Sequence, residues 1–312
     1  MNQSRRGFLK KLLIGAGGVC AALGSRFATD GAASSLIAGV AQAAEPDDLV
    51  WVEGRSPYDN TVAALKGLGG IQRFVKKGQR VTILPNIGWA RTMEQGANTH
   101  PQVVRALIDQ CHEAGAKSID IFCNPCNDMR VCLELSGIGE VIEDSPAQFE
   151  FISKQGWRKR QAVKGCTLLK EADVYRLFDE AEVVINAPVA KHHGGAQLTM
   201  CCKNLMGAVR DRRTIHQKLH DGIADLTMML PHQLCVLDAS RILLRNGPTG
   251  GNIKDTKRMD TVIAGIDPVH VDVLGTTLFK QKPSDIGYLK QLADRGYGPI
   301  DPQKLKVARI TA

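Results

Sequence analysis

The chain has 312 residues, 44% hydrophobic and 23% charged, with a formal net charge of +8, which is enough for a substantial core in one large or two small domains. Residues 1–43 hold five basic side chains and one acidic one, so the remainder carries 35 basic against 31 acidic residues, a net +4. No block of Lys and Arg interleaved with aromatics survives that subtraction, so nucleic acid is not an expected partner.

The amino terminus reads Ser4-Arg5-Arg6-Gly7-Phe8-Leu9-Lys10, the pattern of a twin-arginine export signal. The uncharged stretch behind it, Leu12 to Ser25, has 14 residues, short of the roughly 20 a membrane span needs, so no stable membrane anchor is expected. A second uncharged run ends in Ala41-Gln42-Ala43, a small-x-small cleavage pattern that puts the mature start near Ala44. The expectation is a signal peptide over 1–43, export in folded form by the twin-arginine machinery, and a soluble periplasmic protein over 44–312. Cys20 is preceded by Val19 where lipidation calls for a small residue. Eight cysteines follow it. An even count in the periplasm suggests disulfides, whereas folding in a reducing cytosol before export shifts weight towards thiolate ligands or buried thiols.

Short apolar, β-branched runs recur at Leu49 to Val52, Val81 to Leu84, Ser118 to Phe122, Val183 to Ala187, Leu234 to Leu237 and Thr261 to Ile266, the pattern of buried strands. Helical periodicity lies between several of them. It is clearest from His100 to Ala114, where Pro101 suits the first turn, Val103, Val104, Leu107, Ile108 and Cys111 form one stripe, and Gly115 ends it. The alternation predicts a single α/β domain, a mostly parallel sheet flanked by helices, with a smaller inserted subdomain over Asp144 to Glu171. Ligands of such sheets gather at the carboxyl ends of strands. That rule selects the loops PNIGWARTMEQGANTH after Leu84, CNPCNDMRVC after Phe122, PVAKHHGG after Ala187, DASRILLRNGPTGG after Leu237 and DPVHVD after Ile266.

Cys123, Cys126 and Cys132 form the densest thiol cluster. A CxxC pair with a third thiol nearby suits a metal ion or an iron–sulfur cluster, with Cys166, Cys201 or Cys202 as a fourth donor. A redox-active disulfide and buried structural thiols are the competing readings. Residues 186–213 concentrate Lys191, His192, His193, Lys203, Asn204, Arg210, Arg212 and Arg213, a set suited to a carboxylate or phosphate and to a lysine of lowered pKa. His216 and His220 stand four apart and are expected on one helix face, along the margin of an apolar stripe through Ile215, Leu219, Ile223, Leu226 and Leu230. Gln217 replaces the glutamate of a zinc-protease motif, which disfavours peptidase chemistry. The run Asn246 to Gly251 lacks the ending of a phosphate loop, and no GxGxxG opens a helix, so ATP and NAD are unsupported. Asp267-Pro268 reads as a helix start.

In chain order, ILPN at Ile83, the helix opened by THP at Thr99, SGI at Ser136, VINAPVAKHH at Val184, CKNLMG at Cys202, His216-x3-His220-x4-Asp225, NGPTGG at Asn246 and AGIDPVHVD at Ala264 resemble the family catalogued as domain of unknown function 362, over roughly residues 80–280. The resemblance implies a site drawn from Asn186, Lys191, His192, Lys203, Asn204, His216, His220, Asp225, Asp238, Asn246, Asp267 and Asp272. Some members carry a fused ferredoxin-like domain; here any cluster would draw on the core's own cysteines. The leading expectation is a periplasmic protein holding a metal or iron–sulfur centre on Cys123, Cys126 and Cys132, beside a cationic pocket for an anionic small molecule. Lys191 and Lys203 would neutralise the ligand, Asn186 and Asn204 orient it, and His216 or His220 transfer a proton. The alternatives are a non-redox lyase, isomerase or hydrolase acting on a carboxylate or phosphate, and a non-catalytic accessory protein.

Overall fold

The computed structural model describes residues 47–312; the twin-arginine pattern, the cleavage site and Cys20 lie outside them. The described strands are β1 (Leu49–Glu53), β2 (Arg80–Pro85), β3 (Ser118–Ile121), β4 (Gln148–Phe149), β5 (Trp157–Gln161), β6 (Glu171–Tyr175), β7 (Val183–Ala187), β8 (Val189–His193), β9 (Gln197–Thr199), β10 (Leu234–Leu243), β11 (Thr256–Gly265) and β12 (Ala308–Thr311). Eight of them lie side by side in the order β12-β1-β11-β10-β7-β2-β3-β4, β8 adds to β10 and carries β9, and β5 pairs with β6 as a separate hairpin. Pairing is parallel from β10 through β7, β2 and β3 to β4, and again between β12 and β1; β11 runs against both β1 and β10. The sheet is therefore mixed and mostly parallel.

Alternation along each strand divides the side chains between two cores. Val183, Ile185 and Ala187 of β7 and Leu234 and Val236 of β10 face one core, covered by helices Pro57–Gly67 and Pro101–Glu113. Val184, Cys235, Leu237 and Ala239 face the other, covered by helices Leu219–Met229, Pro268–Gly275 and Gly287–Asp294. Burial on both faces is why these strands read as near-continuous apolar runs. Helix Pro101–Glu113 begins as its sequence predicts: the His100 imidazole accepts from the Gln102 amide at 3.2 Å, and Gly115 leaves the helix at φ 80°.

Three sequence expectations change. The carboxyl ends of β2, β3, β7 and β10 share one edge, but the reversed β11 sends the DPVHVD segment to the opposite edge. The predicted excursion between Asp144 and Glu171 resolves into the edge strand β4 and the β5 arm of the hairpin. The segment holding His216 and His220 is not one helix: it breaks at Lys218 (φ −137°, ψ 72°) into Arg213–Gln217 and Leu219–Met229, which separates the two imidazoles.

Asp225, one of the family-motif acids, belongs to the scaffold. It is fully buried and accepts from the amides of Thr167, Leu168 and Leu169 at 3.0, 2.8 and 2.7 Å and from the Arg295 guanidinium at 2.6 Å. Removing one member of a buried, hydrogen-bonded pair strands the other. Asp225→Ala is expected to lower the unfolding free energy by about 3–5 kcal/mol, read from urea denaturation monitored by circular dichroism.

Candidate functional site

Four loops leaving the carboxyl edge of β2, β3, β7 and β10 enclose a cavity of about 290 Å³. The first brings Asn86, Gly88 and Trp89, the second Cys123, Asn124 and Cys126, and the last Pro248. The hairpin of β8 and β9 supplies Lys191, His193 and Thr199, and the segment behind it Lys203, Asn204, Arg212 and His216. Among the described residues, no carboxylate lines the cavity.

The hairpin sets the floor. Side chains two apart on a strand share a face, so Lys191 and His193 point together while His192 points away; across the pair, Lys191 stands opposite Thr199. Lys191 is 1% exposed, and its amine donates to Asn86 Oδ1 at 3.0 Å and to the Ala97 carbonyl at 2.5 Å. A row of amides continues inward: Asn86 Nδ2 donates to Asn204 Oδ1 (2.8 Å), Asn204 Nδ2 to Asn186 Oδ1 (2.9 Å) and the Leu84 carbonyl (3.0 Å), and Asn186 Nδ2 to the Cys201 carbonyl (2.9 Å). Burial, then the charge of Lys203, brings Lys191 down to about 7. Lys203 is half-buried and, among the described residues, has neither an ion pair nor a side-chain hydrogen bond; burial brings it to about 8. His193 Nδ1 accepts from the amides of Gly195 and Ala196, each at 3.0 Å. That leaves Nε2 to carry the ring proton, and burial together with the nearby lysines pushes the imidazole to about 3, keeping it neutral. The Thr199 hydroxyl is buried in the lining without a hydrogen-bond partner among the described residues.

Arg212 fastens the cysteine loop to this wall, donating to the carbonyls of Asn124 and Pro125 at 3.0 and 2.9 Å and lying 3.6 Å from the Cys126 sulfur. Cys126 is exposed and Cys123 buried, its thiol pushed up to about 11 by burial. Cys132 does not line the cavity. It sits on helix Met129–Ser136, inside the core under that helix, because its position falls on the apolar stripe. Among the described residues, no three His, Cys, Asp or Glu side chains converge on a point where a metal ion could sit.

Of the other expected residues, Lys191, Lys203, Asn204 and His216 line the cavity, with Asn186 one bond behind them. His220 lies elsewhere, stacked on Tyr288 at 6.5 Å. His192 accepts from the Gly247 amide at 3.1 Å and so docks the NGPTGG turn against the hairpin. Asn246 donates to Asp255 at 2.7 Å, outside the cavity. Asp238 accepts from the His100 amide at 2.7 Å, Asp267 caps helix Pro268–Gly275, and buried Asp272 accepts from the amides of Cys201 and Cys202 at 2.6 and 3.0 Å. Asp238 and Asp272 tie separate segments of the chain together, and none of the three acids lines the cavity. Thr199 and Asn86 were not singled out as site residues from sequence, and His193 was named only as one member of the basic 186–213 segment. Strand alternation through KHH, and the last residue of ILPN, were the available signals.

Residues 81–277 match the family described as Domain of unknown function (DUF362). The chain belongs to this family. A thylakoid-associated protein of Synechocystis is 26% identical over 246 residues, covering 75% of this chain and 74% of the relative. Among solved structures, the chain is similar to the lactate racemase apoprotein of Thermoanaerobacterium thermosaccharolyticum (TM-score 0.47, 9% identity) over 78% of this chain and 58% of that one. It is also similar to a Thermotoga maritima protein (TM-score 0.41, 11% identity) over 73% of this chain and 60% of that one. It thus spans less than two thirds of either solved chain.

The lowered pKa of Lys191 makes stability depend on pH. An unfolded lysine titrates near 10.4, so between about 7 and 10 the unfolded chain binds the extra proton and folding is favoured as pH rises. Relative to Lys191→Met, the native chain is expected to gain stability between pH 7 and 9.5, by up to about 1.4 kcal/mol per pH unit. Urea titrations of both proteins at the two pH values measure it.

Proposed function

We propose that this member of the family is an enzyme that binds a small carboxylate or phosphate in the cationic cavity and moves a proton at Lys191, in a non-redox lyase, isomerase or hydrolase reaction. The observation that carries the reading is the lining itself: two lysines and Arg212 face a common space with no acid among them. Lys203, without a protein counter-ion, suits the anionic group; the neutral His193 Nε2–H and the unpartnered Thr199 hydroxyl supply directed hydrogen bonds. A neutral Lys191 amine has two hydrogens, both held by Asn86 and Ala97, which leaves its lone pair to receive a proton. A lysine titrating near 7 can alternate between acid and base under ordinary conditions.

Export to the periplasm by the twin-arginine route remains part of the proposal, supported by residues 4–10 and the pattern before Ala44. Cys123 and Cys126 on the cavity wall support a second reading, a redox role with a metal or iron–sulfur centre there.

Thermal shift with a panel of small carboxylates and phosphates tests the first reading. Lys203→Met is expected to abolish ligand-induced stabilisation, with Cys126→Ser retaining it; the reverse pattern would overturn the proposal. Iron, sulfide and zinc analysis of anaerobically purified protein discriminates the second: stoichiometric metal, lost in Cys126→Ser, would favour it.

A further inference from the structure

A second cavity, of about 200 Å³, opens between the amino ends of helices Pro57–Gly67 and Pro101–Glu113, and its walls include Arg55, Arg241, Arg258, His100 and Ser240. It shares no lining residue with the first cavity. We propose that it binds a small oxyanion, the phosphate or carboxylate group of a ligand distinct from the one in the first cavity.

Four observations converge. Ser240 is 4% exposed and its hydroxyl has no hydrogen-bond partner among the described residues, a state that disfavours folding unless a water or ligand completes it. Ser240 sits at a β-bulge: the β10–β11 register shifts between Ala239 and Arg241, and Asp260 across from it adopts φ 50°. Bulges re-aim side chains, and left-handed backbone at a non-glycine residue persists where the surroundings hold it. Beyond the bulge, Arg241 and Arg258 are direct cross-strand partners, a like-charge pairing that Asp260 relieves only on the Arg258 side. Finally, Arg55 has no ion pair or side-chain hydrogen bond among the described residues, and Arg241 has only the Thr256 hydroxyl, at 3.0 Å.

Two acids share the lining. Asp260 is taken up by Arg258, at 3.2 and 2.8 Å, and Glu94 leaves Arg55 and Arg241 together in excess. Both flanking helices exceed ten residues, so their amino ends add positive potential on the same side. The cavity is below the roughly 300–1,000 Å³ of pockets that enclose whole drug-sized molecules, which suits a single anionic group.

The test is calorimetric titration of the full chain with inorganic phosphate and, separately, with acetate, in a Lys203→Met background that silences the first cavity. At least one anion is expected to bind there, Arg241→Met to weaken it at least tenfold, and Ser240→Ala to weaken it about threefold. Because its hydroxyl has no partner in the protein, Ser240→Ala should leave the anion-free melting temperature unchanged or higher, which keeps the test valid if Arg241→Met misfolds. The anion with the lower Kd assigns the group. Absence of any binding in the Lys203→Met protein, or unchanged Kd in folded Arg241→Met and Ser240→Ala, would overturn the proposal.

Discussion

Lys191 carries an amine into the closed carboxyl edge of the sheet, with no carboxylate among the described residues lining the cavity to balance it. Charge in such a place is expensive unless it is paired and hydrogen-bonded. Much of the surrounding architecture answers that constraint. The 86–100 loop folds back so that Ala97 offers a carbonyl, Asn86 offers an amide oxygen, and the inner asparagines hold Asn86 in place. The result is an amine whose two hydrogens are both taken by protein acceptors when it is neutral and which as a cation is unstable enough to release its proton near neutrality.

The motif residues around it divide into two kinds. Asp225, Asp238 and Asp272 satisfy backbone amides of other segments, so each buried acid ties separate parts of the chain together. The cavity itself is left to bases and neutral donors. An acid placed among Lys191, Lys203 and Arg212 would neutralise them from within, so its absence matters as much as their presence.

The architecture was readable because it rests on periodicity. All six apolar runs are strands, and the helix opened by Thr99 to Pro101 starts and stops on its own signals. The site was less readable, for identifiable reasons. Val189 to His193 is short and polar at its end, so it does not read as a strand, and without strand alternation His192 and His193 cannot be told apart. The imidazoles at 216 and 220 keep helical spacing across a residue, Lys218, whose backbone is not helical. The direction of β11, fixed by its pairing with β1 and β10, leaves no trace in its apolar pattern. Cys132 shows the same limit for thiols, since proximity in sequence says nothing about which side of a helix a sulfur occupies.

The row of asparagines has a sense as well as a length. A peptide carbonyl, that of Cys201, can only receive a hydrogen, so Asn186 must turn its nitrogen towards it and its oxygen outward; the Leu84 carbonyl imposes the same choice on Asn204. Each amide hands its orientation to the next, until Asn86 shows oxygen and not nitrogen to the lysine. Main-chain atoms two side chains removed thus decide that the amine meets a lone pair, and reversing any one amide would require reversing them all.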